Sequence, residues 1–552
     1  MTADEAEFEA RETTRAREII GPHFDAVYYL ASHPVMLDSG IDPLDHFLTQ
    51  GWREGRDPSP LFNVRYYLAT NGDIAGKSTN PFLHYLDAGR DEGRLARRPL
   101  DLVRRHLEAS SAPSTRVAEW SAVADGSAPI SLMELRAALS SVVARTGLVV
   151  SVSHDDYAVN FGGLQSMIGD EQQAFLRAGW GYLHLSPAAP LPLLATSGAV
   201  TGFRVRMRLD GGRVGVALLA DVIRSIAELR GRGQTIEVVF HHLMGWAPEA
   251  LEPLPKAAGV QAVFWIHDFF TLCPSYALMR NDLVHCGAPP AHSPACQVCS
   301  FGSDRDAHVS RMTRFFDVTA PFMLAPSASA LSLWVGRGAL RHVGTTIVPL
   351  ARLLLSGDTG EEVPDGGPSV AGRPLRVAHA GARLMHKGWT VFEELALQLQ
   401  DDARYEFMHF GVEIGAALPG CIRSVPVRVT ADTRDGMIEA LAEHGVDVVI
   451  SGSLWPETFC FAAHEAIAAG AYVLARAGAG HVWPMIANDA PGQGWRFETE
   501  AELAALFISG AVVDLVAGCA VRRGTLLPGR GTADWVLHAR PMVALAAVDA
   551  DA

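Results

Sequence analysis

The stretch that decides the fold is VDVVISGSLWPETFCFAAHEAIAAG, residues 446–470. Residues 446–450 form a mostly apolar run typical of a buried parallel strand, and the residues after Pro456 predict a helix that begins near Thr458. Two glutamates, Glu457 and Glu465, lie eight positions apart near the start of this helix. Ligands of open α/β sheets bind at the carboxyl ends of strands, beside helix N-termini. The segment therefore predicts a site for a diphosphate-bearing ligand with hydroxyl groups, against the simpler alternative of a capped helix with one solvent-facing glutamate.

The same alternation of strands and helices extends in both directions from this segment. Predicted strands cover residues 147–153, 236–240, 260–266, 375–380 and 406–411, and predicted helices cover residues 164–178, 216–230 and 435–444. Strands that alternate with helices indicate a parallel, doubly wound sheet. A stretch rich in Gly, Pro and acidic residues at 356–374 predicts a hinge between two such sheets. We expect an α/β protein with Rossmann-like domains at 147–355 and 375–530 and a C-terminal tail at 531–552.

Glycines and basic residues follow the first strand of each predicted sheet. Gly162 and Gly163 come after the first strand of the N-terminal sheet, where they allow close approach of the backbone to a ligand. Gly381, Arg383 and Lys387 follow the first strand of the C-terminal sheet. If Lys387 has no ligand, it is an ordinary surface lysine before a helix.

Histidines also lie at predicted strand ends. His242 follows the strand at 236–240, and His267 with Asp268 follows the strand at 260–266. These three residues are candidates for contacts to a ligand at the strand ends, although a histidine at such a position is often structural.

The segment from Glu457 to Glu465 resembles the glutamate, seven residues, glutamate signature of family-four glycosyltransferases with the GT-B fold. Lys387 and Gly388 keep that family's distance from Gly381. The family has arginine directly after this glycine, whereas in this chain Arg383 comes one position later. The resemblance implies two Rossmann-like domains that face each other across a cleft, the first for the acceptor and the second for the nucleotide-sugar.

The resemblance also implies roles for single residues. Glu457 would contact the transferred sugar, Glu465 would hold the nucleotide ribose, and Lys387 would stabilise the diphosphate. The implied catalytic residues are His267, Lys387 and Glu457, and His242 and Asp268 would complete the acceptor side. The donor-binding residues would be Gly162, Gly163, Gly381, Arg383, Lys387, Glu457, Thr458, Phe459 and Glu465. The implied reaction transfers a sugar with retention of configuration, without a metal ion or another cofactor.

The N-terminal part of the chain contains an internal repeat. Residues 22–58 and 60–96 match at an offset of 38 positions, so that Tyr29 and His46 recur as Tyr67 and His84. Each copy predicts two short helices, and the aromatic and histidine side chains are expected in the core of a small helical domain at 1–108. Residues 109–146 predict a linker followed by a helix at 131–146.

The repeats resemble short tandem units found beside glycosyltransferase domains in bacterial polysaccharide-assembly proteins. This implies a role in polysaccharide biosynthesis and a saccharide or lipid-linked saccharide acceptor, with a protein acceptor as the alternative. The repeats are also candidates for binding protein partners.

Composition excludes several other classes of function. A net charge of −15 opposes binding to nucleic acid. The absence of an apolar run of about 20 residues and the acidic N-terminus predict a cytoplasmic protein, with peripheral association at the inner face of the membrane as an option. Seven cysteines are too few for a disulfide framework. Four of them could hold a structural zinc ion, but only the last two have CxxC spacing, and unligated thiols are the alternative. These four are Cys273, Cys286, Cys296 and Cys299.

Two other functions remain open at this point. The first is a catalytically inactive saccharide-binding or scaffold protein, for which the displaced Arg383 would mark a decayed site. The second is a nucleotide-sugar epimerase, which no motif in the sequence favours.

Overall fold

The structure is a computed structural model. It describes residues 13–33, 36, 40–59, 61–77, 79–97, 113–122, 124–160, 162–191, 194, 200–290, 292–356, 372–400, 402–412, 417–430, 433–529 and 531–539. The chain folds as two compact units, Met1–Ser110 with Phe497–Leu515, and Ser111–Arg496 with Val516–Ala552. Among the helices in the described part of the chain, none is long and apolar enough to span a membrane.

The helices of both units are numbered in chain order. They are α1 Ala26–Ser32, α2 Pro43–His46, α3 Val64–Thr70, α4 Gly72–Ala75, α5 Pro81–His84, α6 Pro113–Ala122, α7 Leu132–Leu139, α8 Gly163–Arg177, α9 Leu219–Gly231, α10 Pro248–Leu251, α11 Pro253–Ala258, α12 Pro294–Gln297, α13 Gly302–Thr319, α14 Ala328–Arg337, α15 Trp389–Gln398, α16 Gly436–Glu443, α17 Phe461–Ala469, α18 Val482–Asp489, α19 Glu500–Ser509, α20 Ala511–Ala517 and α21 Gly531–Asp534.

The strands are numbered in the same way. They are β1 Leu148–Val152, β2 Gly181–Pro187, β3 Arg204–Leu209, β4 Gly212–Leu218, β5 Ile236–Phe240, β6 Val263–Trp265, β7 Met279–Arg280, β8 Val284–His285, β9 Phe322–Ala325, β10 Gly344–Ile347, β11 Ala351–Leu355, β12 Leu375–Ala380, β13 Tyr405–Gly411, β14 Ile422–Pro426, β15 Val448–Ser451, β16 Tyr472–Arg476, β17 Gly494–Phe497 and β18 Gly524–Pro528.

In the first unit, the two copies of the repeat make the same internal contacts. The Tyr29 hydroxyl lies 2.8 Å from His46 Nδ1, and the Tyr67 hydroxyl lies 2.8 Å from His84 Nδ1. Gly51 lies against this tyrosine hydroxyl, and a Cβ there would overlap it, as would one at Gly89 in the second copy. His46 is buried, as expected for a core residue, whereas His84 is only half-buried. Helix α19 packs against α3 within the same unit.

The first sheet of the second unit has the strand order β10-β9-β6-β5-β1-β2-β3-β4. The pairs from β10 to β2 are parallel, and the pairs β2–β3 and β3–β4 are antiparallel. The sequence-based helix at 216–230 is wrong at its start, because residues 216–218 belong to β4. Asp210 and Gly211 both have positive φ, a combination that favours the tight turn which folds β4 back onto β3.

The second sheet has the order β14-β13-β12-β15-β16-β17, and its described pairs from β14 to β16 are parallel. Counted from β12, this is the doubly wound order 3-2-1-4-5-6. The expected α/β class with two Rossmann-like sheets is confirmed. Two small antiparallel pairs, β11–β18 and β7–β8, complete the strand pairing of the described residues.

The C-terminal segment joins the first sheet. Trp265 Nε1 donates a hydrogen bond of 2.9 Å to Thr532 Oγ1, and the Trp535 ring lies 4.6 Å from the ring of Phe322. The prediction of a tail from residue 531 is therefore wrong for residues 531–539, which bury Thr532 in the N-terminal Rossmann-like core. Helix α6 likewise forms within the stretch predicted as a linker. Of the hinge predicted at 356–374, residues 357–371 are not among those that the structure describes.

Candidate functional site

The strand order of the second sheet reverses between β12 and β15, and the loops that follow these two strands meet. Gly388 has a φ of +82°, and a Cβ at this position would overlap the backbone of Gly452. The Leu454 amide donates a hydrogen bond of 2.8 Å to the His386 carbonyl. The glycine contact and the hydrogen bond fix Lys387 beside the loop that carries Glu457.

Lys387 and Glu457 form an ion pair at this point. Lys387 Nζ lies 2.9 Å from Oε1 and 2.8 Å from Oε2 of Glu457. Oε1 also accepts hydrogen bonds from Ser453 Oγ at 2.7 Å and from Trp455 Nε1 at 2.9 Å. Ser453 and Trp455 were not predicted from the sequence, although both lie between β15 and Glu457.

The two partners of this pair differ in exposure. The Glu457 side chain is 1% exposed, whereas the Lys387 side chain is 35% exposed and its ammonium lies 4.9 Å from the Trp455 ring centroid. Burial alone would lower the pKa of Lys387, but the Glu457 carboxylate outweighs it and raises the pKa above the usual range. Lys387 is therefore the more exposed partner of the pair, and Glu457 holds its ammonium in place.

Helix α17 begins at Phe461, three residues later than predicted, with Cys460 as its N-cap residue and no side-chain cap. Residues 458–460 lie outside the helix, and just before them Glu457 forms a bridge with Gly480 and its carbonyl accepts the His481 amide at 2.9 Å. A Cβ at Gly163 would lie 3.4 Å from the Phe461 ring, so the glycine loop after β1 lies against the start of α17. The free N–H groups of the first turn face a point where backbone from both sheets converges.

Glu465 lies about one turn into α17 and is 7% exposed. Burial, with a smaller contribution from Asp435, raises the pKa of Glu465 to about 7. Within the described ranges, no side chain or backbone group hydrogen bonds to this carboxyl or pairs with it. A buried carboxyl of this kind has unused acceptor capacity for hydroxyl groups.

The loop after β12 is held from the side of β13. His409 Nε2 donates a hydrogen bond of 2.9 Å to the Gly381 carbonyl. The Arg383 guanidinium lies 5.8 Å from the Trp389 ring centroid, so it stacks on the first residue of α15. Gly381 and Arg383 thus lie on the loop that leads to Lys387.

The acceptor-side candidates meet the donor side through one hydrogen bond. Thr458 Oγ1 donates to the His267 carbonyl at 2.6 Å. Next to it, the Met244 amide donates to His242 Nδ1 at 3.0 Å, so His242 carries its proton on Nε2 and donates it to Asp268 Oδ2 at 2.8 Å. His267 and Asp268 are partly exposed, while His242 is buried.

The structure adds two aromatic side chains next to Phe459 that were not predicted from the sequence, His464 and His481. The Phe459 ring stacks on His464 with centroids 4.4 Å apart and on His481 with centroids 5.5 Å apart. His481 follows Gly478 and Gly480. This glycine-rich segment after β16 was the feature of the sequence from which a site residue could have been predicted. Burial is the main cause that lowers the pKa of both His464 and His481 to about 4, so both rings are neutral at pH 7.

The four cysteines of the predicted zinc site are free thiols. Arg305 Nη1 donates to Cys296 Sγ at 2.8 Å, and burial raises the pKa of Cys273 to about 12. Across the described ranges, no group of three or more His, Cys, Asp or Glu side chains is placed to hold a metal ion. Zinc at these cysteines stays a prediction.

No protein-family model and no curated protein matches the chain. Among solved structures, HepE from Anabaena in complex with UDP-glucose is 13% identical, with a TM-score of 0.39 over 68% of this chain and 93% of that chain. A glycosyltransferase from Rickettsia africae is 13% identical, with a TM-score of 0.40 over 68% of this chain and 91% of that chain. An α,α-trehalose-phosphate synthase from Burkholderia vietnamiensis is 12% identical, with a TM-score of 0.37 over 67% of this chain and 91% of that chain.

Proposed function

We propose that the chain is a family-four-like glycosyltransferase that moves a sugar from a nucleoside-diphosphate sugar to an acceptor hydroxyl. The observation that carries this proposal is the partly exposed Lys387 side chain, whose ammonium is held by buried Glu457 where the order of the second sheet reverses. Ligands of doubly wound folds bind at such reversal points. An ammonium fixed there is suited to the negative charge of a diphosphate.

Two further features support a diphosphate at this place. The uncapped N-terminus of α17 offers free N–H groups and the positive end of the helix dipole. Gly163 brings the loop after β1 close to Phe461 without a side chain in between. Lys387 and α17 would stabilise the charge that develops on the leaving diphosphate, and preorganised groups of this kind often supply the largest catalytic effect.

The remaining donor contacts follow from burial. The Glu465 carboxyl, which lacks a partner within the described ranges, is the group we assign to the nucleotide ribose. Glu457 is closed off by Lys387, Ser453 and Trp455, so we assign it the placement of the ammonium, and contact with the transferred sugar is secondary. Thr458 and Phe459 would line the donor side, and Thr458 links it to His267.

We further propose transfer with retention of configuration and without a metal ion, as in the family that the motifs resemble. The acceptor class is a saccharide or lipid-linked saccharide of polysaccharide biosynthesis, and the repeats of the first unit would bind protein partners at the cytoplasmic face of the membrane. These assignments rest on the sequence resemblance.

A second candidate function is a saccharide-binding protein without catalysis. Two observations favour it, namely the closed contacts of Glu457 and the stacking of Arg383 on Trp389. It predicts a folded protein that transfers no sugar from any donor.

The experiment is a thermal-shift panel of the full chain against UDP, GDP, dTDP, ADP and CMP. A ligand at 100 times its dissociation constant stabilises the folded state by about 2.7 kcal/mol. We expect one nucleotide to raise the melting temperature of the wild type and the effect to be much smaller in Glu465→Gln. Glu443→Ala, which removes an exposed glutamate of α16, is the matched control and should respond like the wild type. No response to any nucleotide in folded protein would contradict the proposal.

A further inference from the structure

A chain of polar groups runs through the first sheet behind His267. His267 Nε2 lies 3.2 Å from His241 Nδ1, and His241 Nε2 lies 3.2 Å from Glu171 Oε1. The two imidazole rings are 21° from coplanar with centroids 5.5 Å apart, so their facing nitrogens meet close to the ring planes. The side chains of His241 and Glu171 are 0% and 1% exposed, whereas His267 is partly exposed.

The Glu171 end of this chain has a fixed direction of donation. Tyr182 donates its hydroxyl proton to Glu171 Oε1 at 2.8 Å. Thr532 Oγ1 accepts the Trp265 indole N–H at 2.9 Å and gives its own proton to Glu171 Oε2. Hydrogen bonds donated to both carboxyl oxygens favour the charged form of the group. The carboxylate is therefore ionised and only accepts hydrogen bonds.

The proton positions then follow along the chain. An ionised Glu171 accepts from His241 Nε2–H, and when His241 carries only this proton its Nδ1 is an acceptor. That nitrogen then accepts from His267 Nε2–H, which leaves His267 Nδ1 without a proton. Burial holds the pKa of His267 well below its usual range.

The other ring nitrogen of His267, Nδ1, belongs to a residue that borders the candidate site. Nδ1 has no hydrogen-bond partner among the described residues. The ring stacks on Trp265 at 5.1 Å and 10°, and the His267 carbonyl accepts the hydroxyl of Thr458, the residue after Glu457. The acceptor nitrogen is thus held rigidly next to the donor-side loop.

We propose that Glu171 and His241 are positioning residues that hold His267 as the Nε2–H tautomer, so that Nδ1 accepts a hydrogen bond from a sugar hydroxyl of the bound substrate. The substrate part of this inference rests on the proposed function, while the tautomer is a property of the free protein. None of the sequence motifs contains Glu171 or His241.

His242 provides an internal control for the test. It is also fixed as the Nε2–H tautomer, but by the Met244 amide and Asp268 instead of by Glu171. A change that acts through Glu171 should alter the resonances of His267 and leave those of His242 unchanged.

The experiment is NMR of the full chain with ¹⁵N-labelled histidine, which reveals which ring nitrogen carries the proton. The resonances of His267 and His242 are assigned by their loss in His267→Gln and His242→Gln. In the wild type above pH 7, we expect His267 to show a protonated Nε2 and an unprotonated Nδ1. A protonated Nδ1 on His267, as a doubly protonated His241 would produce, overturns the proposal without the need for any other variant.

Two matched variants test the part played by Glu171. An amide both donates and accepts, so Glu171→Gln should replace the single His267 tautomer with a mixture, while Tyr182→Phe removes a different donor to the same oxygen and should leave His267 as in the wild type. Unchanged His267 resonances in Glu171→Gln would overturn the role of Glu171. The nucleotide-induced thermal shift should persist in Glu171→Gln. If no nucleotide shifts even the wild type, the proposed function fails while the tautomer result stands.

Discussion

The ion pair between Lys387 and Glu457 predicts an asymmetric response to mutation. Loss of one partner from a fully buried ion pair costs about 3–5 kcal/mol. In Lys387→Met, the Glu457 carboxylate stays 1% exposed and keeps only Ser453 and Trp455 as donors. Because 35% of the Lys387 side chain is exposed, water already screens part of the pair. We therefore expect a loss of about 2–3 kcal/mol for Lys387→Met, below the range for a fully buried pair.

The reverse substitution is expected to cost less. In Glu457→Gln, the amide oxygen still accepts from Ser453 and Trp455, and the flexible, partly exposed Lys387 side chain can turn its ammonium toward water, so the loss should be about 1 kcal/mol. The loss of stability in the double variant should be smaller than the sum of the two single losses by roughly 1–2 kcal/mol, since neither charge is then left without its partner.

Thermal melting of the four proteins at equal concentration measures this cycle. In a domain as long as the C-terminal Rossmann-like domain, residues 375–530, a loss of 2–3 kcal/mol lowers the melting temperature by roughly 5–10 °C. Lys256→Met, at an exposed lysine of α11, is the control and should melt like the wild type. If Glu457→Gln cost as much as Lys387→Met, or if the two losses were additive, the account of a closed carboxylate and a more exposed lysine would be refuted.

Three further predictions concern other parts of the second unit. The folded pKa of Glu465 is about 7 against an ordinary value of 4.5, so ionisation of Glu465 destabilises the fold as pH rises from about 4.5 to 7. Glu465→Gln should then gain up to about 3 kcal/mol over the wild type above pH 7 and little near pH 4, which urea unfolding at both pH values would measure. Gly388→Ala should lower the melting temperature far more than Gly372→Ala, because both glycines have φ +82° but only Gly388 lies against another backbone; equal effects would contradict this. Thr532→Val leaves the Trp265 indole N–H without its acceptor and Glu171 Oε2 without the Thr532 donor, and should cost about 1–3 kcal/mol by thermal melting, whereas a true C-terminal tail would tolerate it.

The sequence was sufficient to predict the two Rossmann-like sheets, because buried parallel strands are apolar throughout and each is followed by a helical pattern. The boundaries were less predictable. Residues 216–218 fit either the end of a strand or the start of a helix, and only the turn at Asp210 and Gly211 decides between them. The start of α17 was placed too early because the bridge between Glu457 and Gly480, which lies just before the helix, joins distant parts of the chain.

The candidate site shows the same division between local and long-range information. Lys387, Glu457 and Glu465 were predictable from motif spacing, which is local. Glu171 and Thr532 were not, because they are 361 positions apart and only the packed fold brings their side chains together. The contacts that orient His267 are therefore properties of tertiary structure. The only local feature of the sequence that pointed to them was a second histidine, His241, next to His242 at the end of β5.

The most direct test of a diphosphate site at Lys387 is calorimetric titration with the nucleoside diphosphate chosen by the thermal-shift panel and with the corresponding nucleoside. A hydrogen bond to a charged group is worth about 1.5–3 kcal/mol, so the diphosphate should bind roughly tenfold to hundredfold more tightly than the nucleoside. We predict that Lys387→Met removes most of this difference, whereas Glu465→Gln weakens both ligands by a similar factor. A preference for the diphosphate that persists unchanged in Lys387→Met would contradict the account.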